Sequence, residues 1–244
     1  MKKKLKVVIL TASFLLALAV LLACLLYFGV IHINNPEIKG LTVRGVDVSS
    51  YQGNIDWPVL ASQEVDFAYI KATEGSSSQD PYFSHNWQGA SKTNIKVGAY
   101  HFFSFESAGS TQAKNFIDTV GTADDMLPPA IDVEYYGIFT SAETIDVDAI
   151  RKELRIIVDI LTDEYGVKPI IYVSESSYRT IVQGYFEDCG LWYRSVYSGI
   201  PADVDWVFWQ YSNRHRLKGY DGKEVYIDMN VFSGNENELA EYTI

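Results

Sequence analysis

Between residues 44 and 232, short apolar runs with strand character alternate with stretches whose apolar residues recur at helical spacing, and that alternation leaves few folds open. Arg44-Gly45-Val46-Asp47-Val48-Ser49 predicts a first strand, and Asp56-Trp57-Pro58 a helix start with Asp56 as cap. Further strands are expected over 65–72, 97–103, 130–134 and 169–174, with helices over 82–93, 113–120, 147–165 and 176–185 between and after them. Gly121 and Gly166 close the two clearest helical patterns. Strands over 191–197, 206–211 and 225–232 follow, joined by loops too short or too rich in Gly, Pro and Asp for full helices. The sum is about eight strands and about five helices. Alternation implies parallel pairing, and eight strands imply closure. The expected fold class is α/β: an irregular eight-stranded β/α barrel whose last quarter lacks helices.

Within that frame, Pro128-Pro129-Ala130-Ile131-Asp132-Val133-Glu134-Tyr135-Tyr136 carries two carboxylates on an apolar strand. Residues i and i+2 of a strand share a face, so Asp132 and Glu134 project together. Mutual repulsion then raises one pKa toward the range of a general acid, an arrangement that glycosidic bond cleavage requires. The plainer alternative is a buried ion-pair network or a strand end whose acids cap a helix. Reactive groups of a β/α barrel gather at the C-terminal strand ends. There the sequence also places Asp47 on the first strand and Asp228 on the eighth, neighbours on closure. Tyr100 and His101 on the third strand, Tyr135 beyond the fourth, and Trp209-Gln210-Tyr211 on the seventh would wall an acidic cleft. The aromatic content of 14%, with 17 Tyr, suits sugar binding.

The N-terminal segment is of another kind. Lys2-Lys3-Lys4-Leu5-Lys6 precedes a run from residue 7 to about 33 without a charged side chain, long enough to cross a bilayer. The expected division is a basic tail and transmembrane anchor over 1–33, a linker over 34–43 and a catalytic barrel over 44–244. The lysines keep the N-terminus cytoplasmic and the barrel outside the cell. Leu21-Leu22-Ala23-Cys24 resembles a lipoprotein cleavage box, so a lipid anchor on Cys24 is the alternative. Beyond the tail the chain holds 16 basic residues against 31 acidic ones, a balance of −15 that excludes nucleic acid as a partner. Cys189 is alone in the body, so the domain rests on its core rather than on a disulfide.

The segments Gly45-Val46-Asp47-Val48-Ser49, Ile70-Lys71-Ala72-Thr73-Glu74-Gly75, Gly98-Ala99-Tyr100-His101-Phe102, Ile131-Asp132-Val133-Glu134, Trp209-Gln210-Tyr211 and Asp228, in that order, resemble the family 25 glycoside hydrolases, lysozymes of the N-acetylmuramidase type. The resemblance implies an eight-stranded barrel with five helices and cleavage of the β-1,4 bond between N-acetylmuramic acid and N-acetylglucosamine in peptidoglycan. By position it implies Glu134 as proton donor, Asp132 as the group facing the 2-acetamido substituent, and Asp47 and Asp228 as the charge network around them. One segment departs from the family pattern. Members often carry Trp-x-Ala-x-Tyr on the sixth strand, where this chain has Leu191-Trp192-Tyr193-Arg194-Ser195-Val196-Tyr197. A monomer without metal or cofactor is expected. Two other functions stay open: a metal-dependent hydrolase using the same carboxylates as oxygen ligands, and a membrane-tethered glycan-binding module without catalysis.

Overall fold

Nine strands form, eight of which close a barrel, in the computed structural model, which describes residues 2–28, 30–31, 34, 36–122 and 125–244. The strands are β1 (Arg44–Val48), β2 (Phe67–Glu74), β3 (Ser78–Gln79), β4 (Lys96–Phe102), β5 (Ala130–Val133), β6 (Ile170–Ser174), β7 (Gly190–Arg194), β8 (Phe208–His215) and β9 (Ile227–Phe232). The sheet runs β1-β9-β8-β7-β6-β5-β4-β2, and β1 pairs with β2 to shut it; β3 is a two-residue addition at the end of β2. All eight expected strands are present.

Pairing is parallel around the barrel except at β9, which runs antiparallel to both β8 and β1. This corrects the expectation of parallel pairing throughout. No helix lies between β8 and β9, so the chain returns as an arm and reverses direction, the only course open without a crossover. The reversal brings the start of β9, not its end, to the barrel mouth where the other strands finish.

The helices are α1 (Lys2–Tyr27), α2 (Trp57–Ala61), α3 (Phe83–Ala90), α4 (Gly109–Val120), α5 (Val147–Tyr165), α6 (Glu175–Ser177), which runs on into a π-helical turn at Tyr178–Val182, and α7 (Glu236–Glu241). The five expected barrel helices are α2 to α6; α7, six residues long, was not foreseen. Asp56 caps α2 by accepting from the Val59 amide, 3.3 Å away, and Gly166 ends α5 in the left-handed conformation. The apolar stripe Ile150, Leu154, Ile157 and Leu161 of α5 is fully covered. Burial of each such side chain contributes about 1.5–3 kcal/mol. The expected anchor boundary at residue 33 and Asn35 of the linker lie outside the described residues.

The two-residue period of the strands divides the core into two layers. Val46, Ala68, Ile70, Val97, Ile131, Val133, Ile171, Tyr193, Trp209 and Met229 face the helices. Phe67, Tyr69, Ala130, Ile170, Tyr172, Trp192, Phe208 and Phe232 face inward and fill the barrel. Tyr69 and Trp192 stack with ring centroids 4.8 Å apart, and Phe67 and Phe208 lie 5.0 Å apart. Two glycines make room for them. A Cβ on Gly45 would stand 2.4 Å from the Phe67 ring, and one on Gly98 2.4 Å from the Tyr69 ring. This aromatic plug is the floor on which the polar residues at the mouth stand.

Candidate active site

A cleft of about 670 Å³ opens at the mouth where β1 to β8 end, and all four acids expected to act together line it. Asp132 is on β5 and Glu134 lies one residue beyond that strand; Ile131 and Val133, which alternate with them, are buried against the helices. Asp47 on β1 pairs in register with Asp228, the second residue of β9. Asp228 reaches this end only because β9 is reversed.

Hydrogen bonds hold Asp47 from two sides. Gln210 Nε2 and Asn230 Nδ2 both donate to its Oδ2, at 2.9 and 2.8 Å. Those amides are themselves fixed, since the Tyr172 hydroxyl donates to Gln210 Oε1 (3.0 Å) and Trp192 Nε1 to Asn230 Oδ1 (2.8 Å). Asp132 is different: it is 9% exposed and its Oδ1 has no hydrogen-bond partner. Buried polar atoms almost always have one, which sets this oxygen apart from those of Asp47.

The electrostatics follow. Burial pushes Asp132 well above the ordinary carboxylate range, and the Glu134 charge raises it further. Burial raises Glu134 as well, opposed by the Arg194 guanidinium and assisted by Asp47. Asp228 rises well above its usual value through burial and then through Asp47. Burial also raises Asp47, but the bonds from Asn230 and Gln210 pull it back, so the negative charge is best stabilised there. The cleft therefore keeps protons on some of its carboxyls where exposed carboxyls would have lost them.

Tyr100 and Gln210 join the four acids as lining residues, but His101, Tyr135, Trp209 and Tyr211 do not. His101 is fully buried behind the strand, its ring nitrogens bonded to Thr73 Oγ1 (2.7 Å) and Gln112 Oε1 (3.0 Å), and burial drives its pKa down to about 4. Trp209 and Tyr211 belong to the outer layer, with Trp209 Nε1 donating to the Ser195 carbonyl at 2.9 Å. Tyr135 turns toward Phe105, ring centroids 6.3 Å apart. Strand parity explains His101, Trp209 and Tyr211, each one residue away from a side chain that does face in, whereas Tyr135 lies beyond the end of β5. Parity also identifies wall residues that motif matching passed over: Tyr172, Trp192 and Arg194 line the cleft, each two residues from an inward neighbour, while Asn230 is fully buried and acts through its bond to Asp47. Lys71 also lines the cleft and pairs with Glu74 at 2.7 Å. Among the described residues, no group of three or more His, Cys, Asp or Glu side chains is placed to hold a metal ion.

The family described as "Glycosyl hydrolases family 25" matches residues 46–220. A solved family 25 glycosyl hydrolase from Bacillus anthracis superposes with a TM-score of 0.79 at 44% identity, covering 88% of this chain and 99% of that one. The protein YegX of Escherichia coli strain K12 is 36% identical over 208 residues, 82% of this chain and 73% of that one. Lysozyme M1 of Streptomyces globisporus is 32% identical over 222 residues, 81% of this chain and 70% of the relative.

Proposed function

The chain belongs to the family 25 glycosyl hydrolases and is a glycosidase of the lysozyme type, and from that premise we propose that it cleaves the β-1,4 bond between N-acetylmuramic acid and N-acetylglucosamine in peptidoglycan, with Glu134 as proton donor. The observation that carries the proposal is the Asp132–Glu134 pair, two residues apart and both lining the cleft, with both carboxyls raised by burial.

In the proposed reaction Glu134 gives its proton to the glycosidic oxygen as the bond to the muramoyl C1 breaks. The carbonyl oxygen of that sugar's own 2-acetamido group closes on C1, so no enzyme carboxylate becomes the nucleophile, one of the exceptions to the two-carboxylate rule. The acetamido N–H supplies the partner that Asp132 Oδ1 lacks. Once that bond forms, Asp132 keeps its negative charge and the proton of the pair resides on Glu134. Water then attacks C1, the bond between C1 and the acetamido oxygen breaks to restore the acetamido group, and the water's proton passes to Glu134. Asp47 and Asp228 hold the surrounding charge, and Tyr100 and Gln210 contact the sugar.

We further propose that the barrel works from the outer face of the cell membrane as a monomer, all four acids coming from one chain. Support comes from α1, a helix long and apolar enough to cross a membrane, with mean hydropathy 2.8 over an 18-residue window. It is about 39 Å long at 1.5 Å per residue, against a hydrocarbon core of about 30 Å. Its end meets the β8–β9 arm, where Arg216 and the Tyr226 hydroxyl donate to the Tyr27 carbonyl at 3.1 and 3.4 Å. Cys24 lies within this helix, three residues before its end, and the apolar run continues beyond it through Leu25 and Leu26.

The test uses the full chain on isolated peptidoglycan, with and without a chelator, identifying new reducing ends. Muramic acid ends, indifference to chelation and a loss of about 10²–10⁴-fold in kcat for folded Glu134→Gln are the expected results. Activity lost on chelation would turn the acids into metal ligands. Binding without cleavage by both proteins would make this a glycan-binding module.

A further inference from the structure

Three cations line the cleft among the described residues, and two of them already have partners. Lys71 pairs with Glu74 at 2.7 Å and lies over the Phe102 ring, 4.9 Å from its centroid. Arg214 donates to the Tyr226 hydroxyl at 3.0 Å and packs on that ring at 4.9 Å. Arg194 is the exception. It ends β7, in register with Ser174 on one side and Gln210 on the other, and it is half-buried. It stands close enough to Asp47, Glu134 and Asp228 to oppose the rise of each, yet its guanidinium makes no hydrogen bond or ion pair among the described residues. A guanidinium offers five donors in a rigid fork, and its natural complement is a planar carboxylate or a similar pair of oxygens.

We infer that Arg194 is a subsite for a carboxylate carried by the sugar, so that the preferred substrate is a glycan strand whose muramoyl lactyl groups are free of peptide. The inference rests on the muramidase function proposed above. The sugar on the donor side of the cleaved bond is then the muramoyl residue, and its lactyl group is the one carboxyl-bearing substituent on a strand of these two sugars. In intact wall that carboxyl is tied up as a neutral amide to the stem peptide. As a free anion it would be repelled by a cleft lined by Asp47, Glu74, Asp132, Glu134, Glu224 and Asp228 unless a cation met it, and Arg194 is the lining cation whose guanidinium makes no hydrogen bond or ion pair among the described residues. The class of reaction that must supply such a substrate is hydrolysis of the amide joining the lactyl group to the peptide.

The test measures initial rates against concentration for the full chain on soluble strands with and without stem peptides, comparing wild type, Arg194→Gln and Arg194→Lys. The expected result is a wild-type preference for peptide-free strands that Arg194→Gln abolishes through a KM increase of about 10- to 100-fold, as for a lost hydrogen-bonded charge. Arg194→Lys should recover part of the preference, which also excludes misfolding as the cause. Equal wild-type rates on both substrates would overturn the inference. So would an Arg194→Gln defect confined to kcat, with a displaced pH profile on both substrates alike, since that is how a charge that merely balances Glu134 behaves. Failure of the wild type to cut either substrate would instead overturn the muramidase function itself.

Discussion

Asp132 and Asp47 are two aspartates in one cleft with opposite circumstances. Asp47 accepts two amide hydrogen bonds, whereas one oxygen of Asp132 accepts none and its neighbour Glu134 adds like charge. The raised carboxyl of Asp132 means that the folded chain holds a proton that the unfolded chain releases near pH 3.9. Stability from this group is therefore complete below that pH and is lost as pH rises through the folded value. Asp132→Asn, neutral at every pH, should raise the urea midpoint at pH 7 while lowering kcat. The stability gain should vanish when the same titration is run near pH 3. A variant less stable than wild type at pH 7 would mean that Asp132 is well stabilised as an anion. That a pair of acids sits here was legible in the sequence, because spacing two on a strand suffices to align them. Which acid is left without a partner depends on Gln210 and Asn230, residues 163 and 183 positions away from Asp47.

At the scale of the elements, parity is the quantity that sorts residues into wall and support. Tyr100 and His101, or Gln210 and its flanking aromatics, cannot enter the cleft together, since neighbours on a strand point to opposite sides. That rule was available from the sequence, and the alternation with Asp132 could have been carried from strand to strand. The motif resemblance hides it, because a motif marks residues as belonging together without saying which way they face. The glycines of β1 and β4 are the complement of the same geometry, backbone without a side chain where Phe67 and Tyr69 fill the barrel. Gly98→Ala would place a Cβ 2.4 Å from Tyr69 Cε1 and 3.0 Å from Leu127 Cβ. Tyr69 is pinned by its hydroxyl bond to the Pro128 carbonyl at 3.1 Å and has little room to retreat. The expected cost is about 1–3 kcal/mol of overpacking, read as a lowered denaturation midpoint. A neutral result would mean that the plug rearranges.

For the whole molecule, the contrast lies between an apolar helix and an acidic barrel joined near the cleft rim. If α1 anchors the chain, the intact protein should sediment with membranes and resist alkaline extraction, with protease reaching the barrel only from outside the cell. Recovery of a soluble, shortened form from the medium would show instead that the segment is a cleaved leader. The alternation of periods, the count of eight barrel strands, the helix caps at Asp56 and Gly166 and the spacing of Asp132 and Glu134 are local properties, set by neighbours a few residues apart, and the sequence by itself determined them. The reversal of β9 was not local: it follows from how an arm without a helix must return, and it alone carries Asp228 to the mouth beside Asp47. Nor was the state of Arg194, whose guanidinium makes no hydrogen bond or ion pair among the described residues, which can be recognised only once the strand ends are in place. Charge and hydrogen bonding at the site are sums over residues that closure brings together, so only the tertiary structure could decide them.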